Sequence, residues 1–149
     1  MAGPSARLKK ELAQFNKDTS NIEIEQVGER DLVGKIHGPT ETPFEGGVYK
    51  IDINIPQDYP FVPPKMKFST KLWHPNVSSV TGAICLDILK DAWSPALTIK
   101  TALLSVQALL TAPEPDDPQD AVVANMYKSN RDEYNTTAKH WTEMYAMEG

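Results

Sequence analysis

The sequence predicts an α+β domain: an N-terminal helix, a four-stranded antiparallel meander sheet, a long irregular loop and three C-terminal helices around one core. Three observations predict it. Apolar residues recur at helical spacing near both ends of the chain, they alternate at strand spacing between Ile22 and Phe68, and from Leu72 to Pro95 they follow neither period. The 149 residues suffice for a single domain, 1–149, with a substantial core.

Ser5 is placed to cap a first helix whose stripe is Leu8, Leu12 and Phe15, with Arg7, Lys10 and Gln14 on its other faces. Ile22 and Ile24 alternate with polar residues, as does the stretch from Leu32 to Ile36. The clearest strand runs from Val48 to Ile55, where Tyr49, Ile51, Ile53 and Ile55 face one way and Lys50, Asp52 and Asn54 the other. Met66 and Phe68 mark a fourth, short strand. Gly38-Pro39, Gly46-Gly47 and the run from Tyr59 to Pro64 read as turns, and connections this short favour antiparallel pairing. Thr98 to Leu110 is apolar on most sides, which predicts a central buried helix. Asp117-Pro118 reads as an N-cap followed by proline at the first helical position. Asn130 with Glu133 reads as a capping box opening the last helix, whose stripe is Tyr134, Ala138, Trp141 and Tyr145.

Composition narrows the function classes. With 40% hydrophobic and 23% charged residues the chain reads as soluble and globular, and no apolar run is long enough to span a bilayer. Met1 to Lys10 lacks the apolar stretch of a secretory signal, and a lone cysteine is kept as a thiol in a reducing compartment. Both point to the cytoplasm or nucleus. A net charge of -5 argues against nucleic acid as the main partner. The basic cluster Arg7, Lys9, Lys10 and Lys17 and the acidic cluster Glu114, Asp116, Asp117 and Asp120 are both readable as solvated surface.

The long loop is where chemistry is expected. Trp73, Ile84, Leu86, Ile88, Leu89 and Trp93 are too many large apolar groups for disorder, so the stretch reads as ordered and functional. It holds Cys85, just after the small residues Thr81-Gly82-Ala83, which would let a partner backbone approach the sulfur. A lone cysteine is more often an inert buried residue. A cysteine protease needs a histidine base, and none of His37, His74 or His140 stands in a protease signature. One cysteine and three scattered histidines give no metal-ligand spacing, and no phosphate-binding Gly-Lys-Ser/Thr loop is present.

The loop nevertheless resembles a known family. His74-Pro75-Asn76, then Gly82-Ala83-Ile84-Cys85-Leu86-Asp87, then Trp93-Ser94-Pro95 are similar to the ubiquitin-conjugating enzyme signature. So are Tyr59-Pro60-Phe61-Val62-Pro63-Pro64-Lys65 before it and Glu114-Pro115-Asp116-Asp117-Pro118 after it. The likeness runs from the first helix to Trp141. Ser78 to Cys85 and Pro118 to Asn125 resemble the huntingtin-interacting, chain-building branch, which shares a Val77-to-Gly82 segment one residue longer than the commonest members. Members of that branch usually continue into a ubiquitin-associated domain; a chain ending at Gly149 is expected to be the catalytic core without it.

The resemblance implies an acyltransferase. An activating enzyme spends ATP to make a ubiquitin thioester, Cys85 takes over the acyl group, and a lysine amine then attacks to give an isopeptide bond. No cofactor is bound and no metal is implied. A thiolate is both nucleophile and leaving group. No neighbouring basic residue stands out as its partner, which is acceptable when the incoming thioester is already activated. Asn76 is implied to help the oxyanion or to hold the loop, Asp117 to orient the acceptor lysine, and Asp87 to gate it. His74 is expected to be structural. RING- or HECT-type ligases are implied to dock on Arg7 and Lys10, on Pro60 and Phe61, and on Ser94, Pro95 and Ala96. The activating enzyme would share the basic first helix, and the chain would act as a monomer. Competing readings are the same fold serving SUMO or NEDD8, a non-catalytic ubiquitin-binding scaffold, and a hydrolase. The scaffold reading is weakened by Cys85 standing in its expected context, the hydrolase by the missing histidine partner.

Overall fold

A computed structural model describes residues 4–15 and 21–148. Lys17 of the basic cluster lies outside them. Helix α1 spans Pro4–Phe15, followed by strands β1 Glu23–Gln26, β2 Asp31–His37, β3 Val48–Asn54 and β4 Lys65–Phe68, and then by helices α2 Ile99–Thr111, α3 Ala121–Ser129 and α4 Arg131–Tyr145. The sheet has the order β1-β2-β3-β4 with every neighbour antiparallel, as a meander with short turns requires. One three-residue 3-10 turn, Asp87–Leu89, interrupts the long loop.

The predicted alternation of β3 holds residue by residue: Tyr49, Ile51, Ile53 and Ile55 are buried while Lys50, Asp52 and Asn54 are exposed. Their register sets Ile36 opposite Tyr49 and Leu32 opposite Ile53, so one sheet face is continuous core. Helix α2 lies against that face. A Cβ on Gly34 would stand 3.1 Å from Leu103 Cδ2, so the missing side chain lets helix and sheet close up. The expectation of a helix buried on most sides is too broad. α2 buries Ile99, Ala102, Leu103, Val106, Leu109 and Leu110, while Leu104 is exposed.

Two helix starts differ from expectation, and a third matches it except in one bond. α1 begins at Pro4, which puts Ser5 inside its first turn rather than at the cap. α3 begins at Ala121, not at Pro118, because its cap is Asp120, whose carboxylate accepts from the Val123 N–H. α4 starts as predicted: Asn130 Oδ1 accepts from the Glu133 N–H at 3.1 Å. The return bond, however, runs from Asn130 Nδ2 to the Glu133 carboxylate, since the Asn130 N–H is already donated to the Met126 carbonyl. On α4 the buried stripe is Tyr134, Ala138 and Thr142. Trp141 is half-buried and Tyr145 exposed, and their rings continue a surface ladder that starts at Trp73.

Glu11 was not anticipated as a core residue. It is buried, and its carboxylate accepts from the Ile99 N–H at 2.8 Å, from the Tyr59 hydroxyl and from Arg7 Nε at 2.9 Å. An anion on the first N–H of α2 answers the unsatisfied donors and positive dipole end there. α1 is thereby tied to the start of α2 and to the Tyr59 turn. Burial, followed by the Glu11 hydrogen bond and charge, raises the Tyr59 hydroxyl well above the usual tyrosine range, so it stays a donor.

Candidate active site

The site forms where two irregular segments, 74–90 and 112–120, meet at the end of the sheet. His74 starts the first. It is fully buried against Phe44, with Nε2 on the Leu109 carbonyl at 2.8 Å and Nδ1 accepting from the Asn76 N–H at 3.0 Å. These partners assign the proton to Nε2. Burial lowers the ring pKa to about 4, so at neutral pH the imidazole is an uncharged bracket, in line with the structural role expected.

Pro75 and Asn76 then clasp the second segment. The Pro75 carbonyl accepts from the Gln119 and Asp120 N–H groups at 2.9 and 3.0 Å. Asn76 is buried, and its Nδ2 donates to the Glu114 carbonyl at 3.0 Å and to the Asp117 carbonyl at 2.9 Å. Its Oδ1 accepts from the Glu114 N–H at 2.8 Å. One amide thus satisfies three backbone groups of a loop with no strand or helix to pair with. Of the two roles expected for Asn76, this geometry fits the loop-holding one: both of its N–H donors are committed to carbonyls. Ser79 completes the latch, its N–H and hydroxyl both donating to Asp120 Oδ2, at 3.0 and 2.7 Å. Those bonds help to hold the Asp120 carboxylate below its usual range against the opposing effect of burial, which is the largest single influence on it. They also explain why Asp120 and not Asp117 is the cap.

Between Val77 and Ile84 the chain doubles back. The Ser78 N–H donates to the Ala83 carbonyl, and the Gly82 N–H to the Ser78 carbonyl. Gly82 has φ +83°, and a Cβ there would stand 2.0 Å from the Phe68 carbonyl oxygen. Its smallness therefore serves backbone packing against β4, rather than the approach of a partner to the sulfur.

Cys85 follows, pinned by its N–H to the Asn76 carbonyl at 2.8 Å. It is a free thiol, 8% exposed. The 3-10 turn brings the chain back over it, and Lys90 Nζ donates to Cys85 Sγ at 3.2 Å. This corrects the expectation that the thiol has no basic neighbour. Lys90 is pushed above the ordinary lysine value by its bond to the sulfur, then by the charges of Cys85, Asp117 and Asp91. Asp117 is exposed on the opposite segment, and its charge is felt at Lys90. Asp87 is exposed at the head of the turn, and its Oδ1 accepts from the Ile88 N–H.

Two of the predicted docking segments are joined to each other. Trp93 Nε1 donates to the Pro60 carbonyl at 2.8 Å, which clamps the Phe61 turn to the Ser94-Pro95-Ala96 loop. Phe61 is 78% exposed, and Lys10, Ser94, Pro95 and Ala96 are also exposed. Arg7 is not the free surface charge expected. Its Nη2 donates to the Pro95 and Leu97 carbonyls at 3.1 and 2.8 Å, and its Nε to Glu11, so it fastens α1 to that loop.

A lone thiol on a latched loop beside an α+β core is the arrangement that the sequence resemblance implied, and the chain belongs to the ubiquitin-conjugating enzyme family, whose model matches residues 7–142. It is 58% identical over 145 residues to ubiquitin-conjugating enzyme E2 27 of Arabidopsis thaliana, covering 95% of this chain and 76% of that one. It is 56% identical over 146 residues to the human ubiquitin-conjugating enzyme E2 K, covering 94% and 73%. E2 K is of the huntingtin-interacting type, the branch read from the Ser78-to-Cys85 and Pro118-to-Asn125 stretches. Among solved structures, the E2 domain of a Toxoplasma gondii ubiquitin conjugating enzyme superposes with a TM-score of 0.90 at 57% identity, covering 95% of this chain and 97% of that one.

Proposed function

We propose that Cys85 accepts ubiquitin from an activating enzyme as a thioester and passes it to a lysine amine as an isopeptide. The observation that carries this reading is the placing of the only thiol, beside a loop latched by Asn76 that carries Asp117. Thioester exchange needs little beyond a thiol and alignment, and no cofactor is called for on this chain; ATP is spent upstream. Aminolysis needs a positioned amine. Asp117 serves to hold and desolvate the acceptor lysine, Asn76 to hold Asp117, and Asp87 to gate the approach. RING- or HECT-type ligases dock as the partner class on Phe61, Pro60 and the Ser94–Ala96 loop, with Lys10 aiding encounter with the activating enzyme. The chain works as a monomer in a reducing compartment, cytoplasm or nucleus.

The test is a charging assay with activating enzyme, ATP and ubiquitin, read on non-reducing gels. The expected result is an ATP-dependent, thiol-sensitive band of added ubiquitin mass, absent in Cys85→Ala. Charging with SUMO or NEDD8 and not with ubiquitin would change the modifier. Charging that survives in Cys85→Ala would remove the assigned nucleophile.

A further inference from the structure

The sequence puts a hydroxyl residue directly before proline at Thr42-Pro43 and at Ser94-Pro95. The structure separates the two. Thr42 is half-buried, and its Oγ1 donates to the Pro39 carbonyl at 2.7 Å and accepts from the Phe44 N–H at 3.2 Å, so its hydroxyl is spent on its own turn. Ser94 is exposed, as are Pro95 and Ala96 after it. Its Oγ accepts from the Ala96 N–H at 3.2 Å, a bond that does not use the hydroxyl hydrogen. A residue before proline favours extended backbone, the form in which a substrate strand enters a kinase cleft. To reach it Ser94 gives up two exposed bonds, the one to Oγ and the one from the Leu97 N–H to its carbonyl at 2.9 Å. We propose that Ser94 is a phosphorylation site for a proline-directed kinase, and that a phosphate there closes the docking surface to ligases. The second half rests on the docking reading above.

The step balances with ATP as the phosphoryl donor and the kinase as the catalyst. The Ser94 oxygen attacks the γ-phosphorus and the new P–O bond forms. The bond from that phosphorus to the β–γ bridging oxygen breaks, and its electron pair leaves on ADP. The hydroxyl proton goes to a basic group of the kinase. The products are the phosphoserine and ADP.

The position decides the consequence. Trp93, one residue earlier, donates to the Pro60 carbonyl and so holds the turn of the exposed Phe61 ring. One residue later, the Pro95 carbonyl accepts from Arg7, which ties the loop to α1. Ser94 therefore stands between the apolar and the basic parts of the predicted docking surface. A phosphate brings a charge of about −1.5 to −2 at neutral pH. A ligase that covers Phe61 would have to strip water from that charge. The guanidinium bonded to this loop gives little relief, because Arg7 is already committed to Glu11 and to the Pro95 and Leu97 carbonyls. The thiol is placed by other bonds, from its N–H to the Asn76 carbonyl and from Lys90 to its sulfur, and neither passes through residues 93–97. The modification thus acts on ligase-dependent transfer and spares the ligase-independent step.

The whole chain is incubated with ATP and, in separate reactions, with a cyclin-dependent and a mitogen-activated protein kinase as the proline-directed probes. A peptide of residues 93–98 serves as the control for kinase activity. The expected result is a phosphate mapped to Ser94, absent in Ser94→Ala, with Thr42 unmodified. Phosphorylated and untreated chains are then titrated with a RING domain chosen because it binds the untreated chain. The affinity should fall about tenfold or more on phosphorylation, and phosphatase treatment should restore it. Ligase-stimulated discharge should fall in parallel, while discharge onto free lysine without a ligase keeps its rate. A peptide that is phosphorylated while the folded chain is not overturns the inference, as does phosphate on Thr42 in place of Ser94. So does a Ser94 phosphate that leaves RING affinity within about twofold of the untreated chain. If no RING domain binds the untreated chain, the docking reading fails and the proposed closure with it. Charging is measured on the same samples, so a chain that forms no thioester overturns the proposed function separately, while the phosphate map and the RING titration still decide on Ser94.

Discussion

Between β2 and β3 the chain is held by Leu32, Ile36, Tyr49, Ile51 and Ile53, all buried against α2 and one another. Where the segments 74–90 and 112–120 meet, it is held by a ring nitrogen, an amide, a hydroxyl and a carboxylate, nearly all aimed at backbone groups. The first region has stability to spare, because each apolar side chain contributes area without needing a particular partner. The second has precision instead. Each of its bonds is worth only about 0.5–1.5 kcal/mol net, but each fixes one backbone group at one place. A site that must present a thiol and an acidic loop to a large acyl donor needs the second kind of order, and it borrows rigidity from the first through Phe44 and the Phe68–Gly82 contact.

The largest effect that would break this comparison is in the sheet. Ile51 is completely buried and paired with Gly34 and Phe68. Ile51→Ala should cost about 2–5 kcal/mol, from lost burial plus the cavity left behind. Urea unfolding followed by tryptophan fluorescence measures it. Discharge from the charged, still-folded fraction should keep its wild-type rate. A folded fraction that charges yet discharges slowly would mean that the sheet sets site geometry directly.

Asn76→Ala comes next. It leaves the Glu114 N–H and two carbonyls without their partner, which should cost about 1–3 kcal/mol. Charging should persist, while discharge onto free lysine falls about tenfold to a hundredfold as the 114–117 segment shifts. The sharper form is the pair with Asp117→Ala. If Asn76 acts by positioning Asp117, the two losses in discharge rate fail to add. Additive losses would return Asn76 to direct oxyanion stabilisation.

What could be read from residues alone follows the same division. The β3 alternation and the Asn130–Glu133 cap were legible because each is a local pattern of residue types, whereas Phe61 came with the family resemblance. Glu11 sits on the Leu8–Leu12–Phe15 stripe itself, three residues after Leu8 and four before Phe15, so spacing could have flagged it as buried; its polarity concealed it. The Asp120 cap and the Asn76 latch were not legible, because their partners are carbonyls and N–H groups that every residue possesses. Lys90 was missed for a related reason. Its return to the sulfur depends on the turn in which the Lys90 and Ala92 N–H groups both donate to the Asp87 carbonyl. The family resemblance supplied Cys85, Asn76 and Asp117 as a set, and geometry then divided their proposed work.

The smallest effect on the fold separates the site from the docking surface. Phe61 is 78% exposed, and the turn that carries it is held from below by Trp93 rather than by its own ring. Phe61→Ala should therefore leave stability within about 0.5 kcal/mol of wild type. Discharge onto free lysine without a ligase should be unchanged, since neither Cys85 nor the Asn76 latch is touched. Ligase-stimulated discharge should fall about tenfold or more, as expected when an aromatic anchor is removed from a small interface. Parallel losses in both assays would mean that the Phe61 turn communicates with the thiol, and the obvious route is the clamp from Pro60 through Trp93 into the Lys90 turn. Trp93→Phe, which removes only the indole donor to the Pro60 carbonyl, would then reproduce the loss while leaving the docking ring in place.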